Sequence, residues 1–138
     1  PATECFELCE TTEAILMAAI ENIRPGRKWS QVARIMQNIA EREGYGVVRD
    51  FVGHGIGQDM HEDPKVPNFV SRDLLMNDIE LREGIVLAVE PMCNLGTDKV
   101  RTLADGWTVV TVDKKPAAHY EHTIAVTADG CEVLTDGN

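Results

Sequence analysis

Phe51-Val52-Gly53-His54-Gly55-Ile56-Gly57-Gln58-Asp59-Met60-His61-Glu62-Asp63-Pro64 is the stretch on which the reading of this chain turns. His54 sits between two glycines, and a second histidine, His61, follows seven residues later. Glycine lets the backbone turn sharply and lets a ligand approach closely. Imidazole is the commonest neutral metal ligand and exchanges protons near neutral pH. So much glycine, histidine and acid in one run, closed by a proline, reads as a shaped site on a loop.

Two later runs carry the matching carboxylates. Ile85-Val86-Leu87-Ala88-Val89-Glu90-Pro91-Met92 is apolar until Glu90, and His119-Tyr120-Glu121-His122-Thr123-Ile124-Ala125-Val126 reads as a strand with an acid in its first half. A carboxylate at the end of a buried strand is costly unless it is paired, hydrogen-bonded or bound to metal. Two glutamates with one or two histidines suit a hard-to-borderline divalent cation such as Mn, Fe, Co or Zn. Taken singly, each residue has a plainer reading. His54 fits a loop imidazole bonded to backbone, Glu90 an arginine partner and Glu121 a solvent-facing strand residue. His61 fits a structural partner of Glu62 or Asp63, Trp107 a core residue and His122 a structural or outer-shell group.

The chain has 138 residues, the length of one domain. That size allows about two-thirds of the unfolded surface to be buried. Its net charge is −10, from 13 basic and 23 acidic residues, with no basic stripe. This argues against a nucleic-acid partner and suits solubility and a cationic substrate such as a free N-terminal ammonium. No apolar run is long enough to span a membrane, and no signal peptide is visible. Cys5, Cys9, Cys93 and Cys131 form no C-x-x-C pair. They read as reduced core cysteines of a cytoplasmic protein in preference to disulfides or a zinc knuckle.

Periodicity predicts a helix over 4–23, stopped by Pro25-Gly26, and a second over 31–43, capped by Ser30 and ended by Gly44. A short strand is expected within 45–52. Residues 53–70 are expected as loop, because Pro64 and Pro67 oppose regular structure. Residues 71–84 read as turn with brief strand and 94–99 as turn. Strands are expected at 85–90, 107–113, 119–126 and 131–134, the last two joined by a hairpin at Ala128-Asp129-Gly130. Two helices followed by a mostly antiparallel sheet make an α+β chain.

The ordered set Gly53-His54-Gly55-Ile56-Gly57, Met60-His61-Glu62-Asp63-Pro64, Glu90-Pro91-Met92-Cys93-Asn94, Asp105-Gly106-Trp107-Thr108 and Tyr120-Glu121-His122-Thr123-Ile124 resembles type I methionine aminopeptidase. The resemblance implies half of a pita-bread fold, with two helices packed on a mostly antiparallel curved sheet. It implies removal of an N-terminal methionine from nascent proteins and peptides at a site for two divalent ions. By position, His54, Glu90 and Glu121 resemble three of the family's five metal ligands. His61 resembles the histidine that contacts the scissile amide, and Met60, Trp107 and Met92 resemble pocket residues around the substrate methionine. His61, Glu90 and His54 are thus the implied catalytic set.

The resemblance covers the C-terminal half of the family's catalytic domain. The family's other two ligands are aspartates on a strand before the first helix, and residues 1–49 contain no Asp. The expectation is a processed product or fragment that holds at most one ion weakly and needs an N-terminal half as partner for activity. The alternative is a non-catalytic half-pita binding module that keeps the metal-site motifs, and a prolidase-like peptidase is a further one. The pattern departs from the family at Met60, where an aromatic is frequent, and at His119, where Gln is frequent. Both departures are expected to bear on substrate preference.

Overall fold

The structure, a computed structural model, describes residues 2–47, 53–55, 62–94, 100–102, 109–111 and 117–135. Helix α1 (Ala2–Asn22) turns Leu8, Thr12, Ile15, Leu16 and Ala19 inward along one face. The polar member, Thr12, satisfies its buried hydroxyl by donating to the Leu8 carbonyl at 2.8 Å. Gly26, at φ 88°, takes the left-handed conformation that lets the chain reverse into α2 (Trp29–Arg42). Helix α2 buries Trp29, Val32, Ala33, Met36 and Ala40, and the two helices pack on each other.

The start of α2 differs from expectation, and the reason is tertiary. Ser30 lies inside the first turn, not at the cap. Asp78, distant in sequence, accepts from the Ser30 backbone N–H at 3.1 Å and from the Ser30 hydroxyl. An exposed N–H of the helix start is thereby satisfied from outside the helix. Trp29 is fully buried and its indole N–H donates to the Pro67 carbonyl at 2.7 Å.

Among the described residues the strands that follow are β1 (Gly46–Val47), β2 (Gly53–Gly55), β3 (Glu62–Val66), β4 (Val86–Val89), β5 (Met92–Asn94), β6 (Val100–Thr102), β7 (Val109–Thr111), β8 (Ala117–His119), β9 (His122–Val126) and β10 (Cys131–Val133). A short helix α3 (Arg72–Met76) separates β3 from β4. The main sheet has the order β10-β9-β4-β2-β3, a second sheet β1-β5-β8, and β6 pairs with β7. Among the described residues every strand pairing is antiparallel. Helix α1 lies against β5 and β8, and α2 against β1. The core runs from both helices into Val66, Leu81, Leu87, Val89, Ile124 and Val126.

Three expectations are corrected. Residues 53–70 are not all loop, since β2 and β3 form an antiparallel pair there. Pro64 is tolerated because β3 is the sheet edge, where a missing N–H breaks no ladder on the outer side. Residues 71–84 hold a helical turn capped by the Ser71 hydroxyl, which accepts from the Leu74 N–H. The single strand expected over 119–126 is two, β8 and β9, with Tyr120 and Glu121 between them. The expected strand over 107–113 survives as β7, and Cys93 to Asn94 belong to a strand that the sequence reading did not foresee. Of the described thiols, Cys93 is buried as expected, but Cys9 is exposed.

Candidate metal centre

The site grows out of one antiparallel register. Val86 pairs with Ala125 and Val89 with His122, and beyond the formal strand ends Met92 pairs with His119 and Asn94 with Ala117. These pairs belong to one continuous ladder. The Tyr120 N–H bonds the Pro91 carbonyl at 3.2 Å in the same register. Pro91 has no N–H to return, so the regular ladder is interrupted there and the chain passes from the main sheet to the second. Glu90 therefore stands opposite Glu121 at the junction of the two sheets.

Side chains directly opposite in an antiparallel pair share a face, and residues two apart on a strand share it too. Glu90, Met92, His119 and Glu121 accordingly lie on one face of the ladder. The ligand atoms of Glu90, His119 and Glu121 all lie within 4.8 Å of one another. Glu90 and Met92 are half-buried, while His119 and Glu121 are exposed. Two carboxylates directly opposite repel each other unless a cation lies between them. Three atoms this close share a point no more than about 2.8 Å from each, close to the roughly 2.0–2.2 Å of metal bonds to His and carboxylate. The donor set of two carboxylates and an imidazole fits a borderline divalent ion.

The junction is held from behind. Asn68 is buried, and its side-chain amide donates to the Glu90 carbonyl at 3.1 Å. Its Oδ1 is buried without a hydrogen-bond partner among the described residues. Burial pushes the Cys93 thiol, on the strand that follows Glu90, up to about 11. Burial likewise raises the Tyr120 hydroxyl, with the neighbouring Cys9 and Glu13 adding to the shift. His122 points to a structural role, since its Nδ1 lies 2.8 Å from the Thr135 hydroxyl.

The backbone of His54 pairs with Ala88, two residues before Glu90 on β4. The register thus sets the backbone of His54 beside β4, two residues from the point where Glu90 stands opposite Glu121. The His54 side chain lies outside what is described, as do Met60, His61 and Trp107 altogether. Gly53 has a packing role that the loop reading missed. A Cβ there would stand 2.4 Å from the Ala88 carbonyl oxygen and 2.6 Å from a Val66 methyl. His119 was read only as a departure bearing on substrate preference. The signal for its place beside the carboxylates was its spacing of two residues from Glu121 within a strand.

The sequence profile of metallopeptidase family M24 matches residues 1–128. Methionine aminopeptidase 1 of Bacillus subtilis (strain 168) is 46% identical over 129 residues, 94% of this chain and 51% of that protein. Methionine aminopeptidase of Escherichia coli (strain K12) is 42% identical over 128 residues, 93% of this chain and 47% of that protein. Among solved structures, methionine aminopeptidase from Thermotoga maritima aligns with a TM-score of 0.88 at 43% identity, covering 95% of this chain and 51% of that one. The prolidase from Pyrococcus horikoshii OT3 aligns with a TM-score of 0.69 at 26% identity, covering 96% of this chain and 31% of the other. The chain spans about half the length of the curated relatives it matches. Among the described residues no helix is long and apolar enough to cross a membrane. The fold is α+β and corresponds to half of a pita-bread aminopeptidase. By this match the chain belongs to metallopeptidase family M24.

Proposed function

We propose that this chain supplies the metal-ligating C-terminal half of a methionine aminopeptidase, and that the complete protein removes N-terminal methionine from peptides and nascent proteins. The observation that carries the reading is the convergence of Glu90 and Glu121, with His119, at the sheet junction. The relatives named above carry the name methionine aminopeptidase and match across nearly the whole chain.

Glu90 and Glu121 would hold the ion, with His54 placed by register beside them. The chemistry a divalent ion would supply there, when bound, is to lower the pKa of water and polarise the scissile carbonyl. Mn, Fe, Co and Zn all accept this mixture of oxygen and nitrogen donors. Glu90, half-buried at the end of a buried strand, would also relay a proton in this reading. His61, by its place in the motif, would stabilise charge developing on the reacting amide. Met60, Met92 and Trp107 would line the pocket for the substrate's methionine side chain. Met92 supports this, because it shares the carboxylates' face and offers an unbranched, adaptable apolar surface. An N-terminal half of the same fold is the partner this reading calls for. Described cysteines without disulfides support a cytoplasmic setting.

The test is turnover of a Met-Ala-Ser peptide by the full-length protein with added Mn²⁺ or Co²⁺, beside a Glu121→Ala control. Metal-dependent turnover that disappears in the control is the expected result. Preference for an Ala-Pro peptide would make the protein prolidase-like. Absence of both turnover and metal binding would make it a non-catalytic half-pita module.

A further inference from the structure

We infer that His119 is itself a ligand of the ion held between Glu90 and Glu121, adding an imidazole donor from β8 to the two carboxylates. This goes beyond the ligand set His54, Glu90 and Glu121, and it rests on the metal-site reading given above.

Two independent observations carry it. The first is distance, since the His119 ring nitrogen and the carboxylate oxygens of Glu90 and Glu121 lie mutually within 4.8 Å. The second is register. His119 is paired with Met92, and the same ladder sets Glu90 opposite Glu121. His119, at the end of β8, is therefore two residues from Glu121 along the chain and diagonal to Glu90 across the register. Backbone pairing on both sides of the junction fixes which residues share this face, and the side-chain conformations bring their ligand atoms together.

The contrast with His122 is instructive. His122 is one residue from Glu121, so alternation sends it to the other face, where its ring engages Thr135. Among the described residues no hydrogen bond holds the His119 ring. It is exposed on the face of the two carboxylates. A neutral imidazole nitrogen completes a mixed oxygen and nitrogen donor set of the kind that borderline divalent ions favour.

The proposal is tested in the full-length protein by Mn²⁺ affinity and by pulsed EPR of the bound ion, which counts coordinated imidazole nitrogens. His119→Gln and His119→Ala are compared with the parent and with Glu121→Ala. Because His119 is not part of the hydrophobic core, both His119 variants should keep the parent's circular dichroism. The expected result is loss of one coordinated nitrogen and a fall in affinity of roughly tenfold or more, at least that caused by removing a ligand's outer partner. An unchanged nitrogen count and affinity in both His119 variants, with binding lost in Glu121→Ala, would overturn the proposal and leave the carboxylate site standing. Failure of the parent itself to bind Mn²⁺ would overturn both.

Discussion

Glu90 and Glu121 face each other across one rung of a ladder whose neighbouring rungs are Val89–His122 on one side and Pro91–Tyr120 on the other. The pairing is imposed by the backbone, so the two acids stay together whatever occupies the space between them. Removing either should weaken divalent-ion binding by more than the roughly 10–100-fold that loss of an outer partner costs. Calorimetric titration of Glu90→Gln and Glu121→Gln with Mn²⁺ checks this, and the apo proteins should be no less stable than the parent, because a like-charge pair is relieved. Parent-like affinity in both variants would remove these residues from the site.

Asn68 supports the Glu90 backbone. Its amide holds the Glu90 carbonyl from within the core. Asn68→Ala takes away a buried donor, at a cost of about 1–3 kcal/mol. Thermal unfolding should show this loss, and Mn²⁺ affinity should fall by roughly 10–100-fold, as for other supports of a metal ligand. A stability loss with unchanged affinity would make Asn68 purely structural.

Gly53→Ala should be more harmful than a usual glycine replacement. The added methyl meets the Ala88 carbonyl and a Val66 methyl well inside contact distance. Either β3 or β4 must then move away from β2, and overpacking of this kind costs about 1–3 kcal/mol. Urea unfolding measures it. Because Ala88 precedes Glu90 by two residues, metal affinity should fall as well.

Asp78→Ala should loosen the start of α2, since Asp78 accepts from the Ser30 N–H. The expected cost is that of losing a helix cap, about 0.5–2 kcal/mol. Ser30→Ala keeps the backbone bond and should cost less. Equal effects from the two substitutions would show that the hydroxyl bond carries the interaction.

Cys93 links stability to pH. Its thiol rises from 9.0 to about 11, chiefly through burial, with the Thr12 hydroxyl opposing the shift. A thiol raised in the folded state contributes stability that is whole below pH 9 and is lost as pH climbs from 9 towards 11. The slope approaches about 1.4 kcal/mol per pH unit across that window. Cys93→Ala should flatten that part of the stability curve. At pH 8 a thiol reagent should label exposed Cys9 quickly and leave Cys93 unreacted until the chain unfolds.

Sequence alone determined the two helices, because Leu8, Ile15, Leu16 and Ala19, and then Val32, Met36 and Ala40, repeat with a period that only a helix turns to one side. It also singled out Glu90, the acid that closes an apolar run, and Glu121, an acid in the first half of a strand, but only when they were taken together with His54 and the motif pattern. Local composition misjudged 53–70, where glycine and proline signalled loop but crowding around Gly53 and the edge position of β3 permit strand. It could not supply the cap of α2, because Asp78 approaches from another part of the chain. Above all, the tertiary structure decided which groups share a face. A register can be built only after distant strands pair, and a shift of one residue would send Glu121 to the other side. That pairing sets Glu90 against Glu121 and brings His119 onto their face, while Asn68 reaches the Glu90 carbonyl from the core.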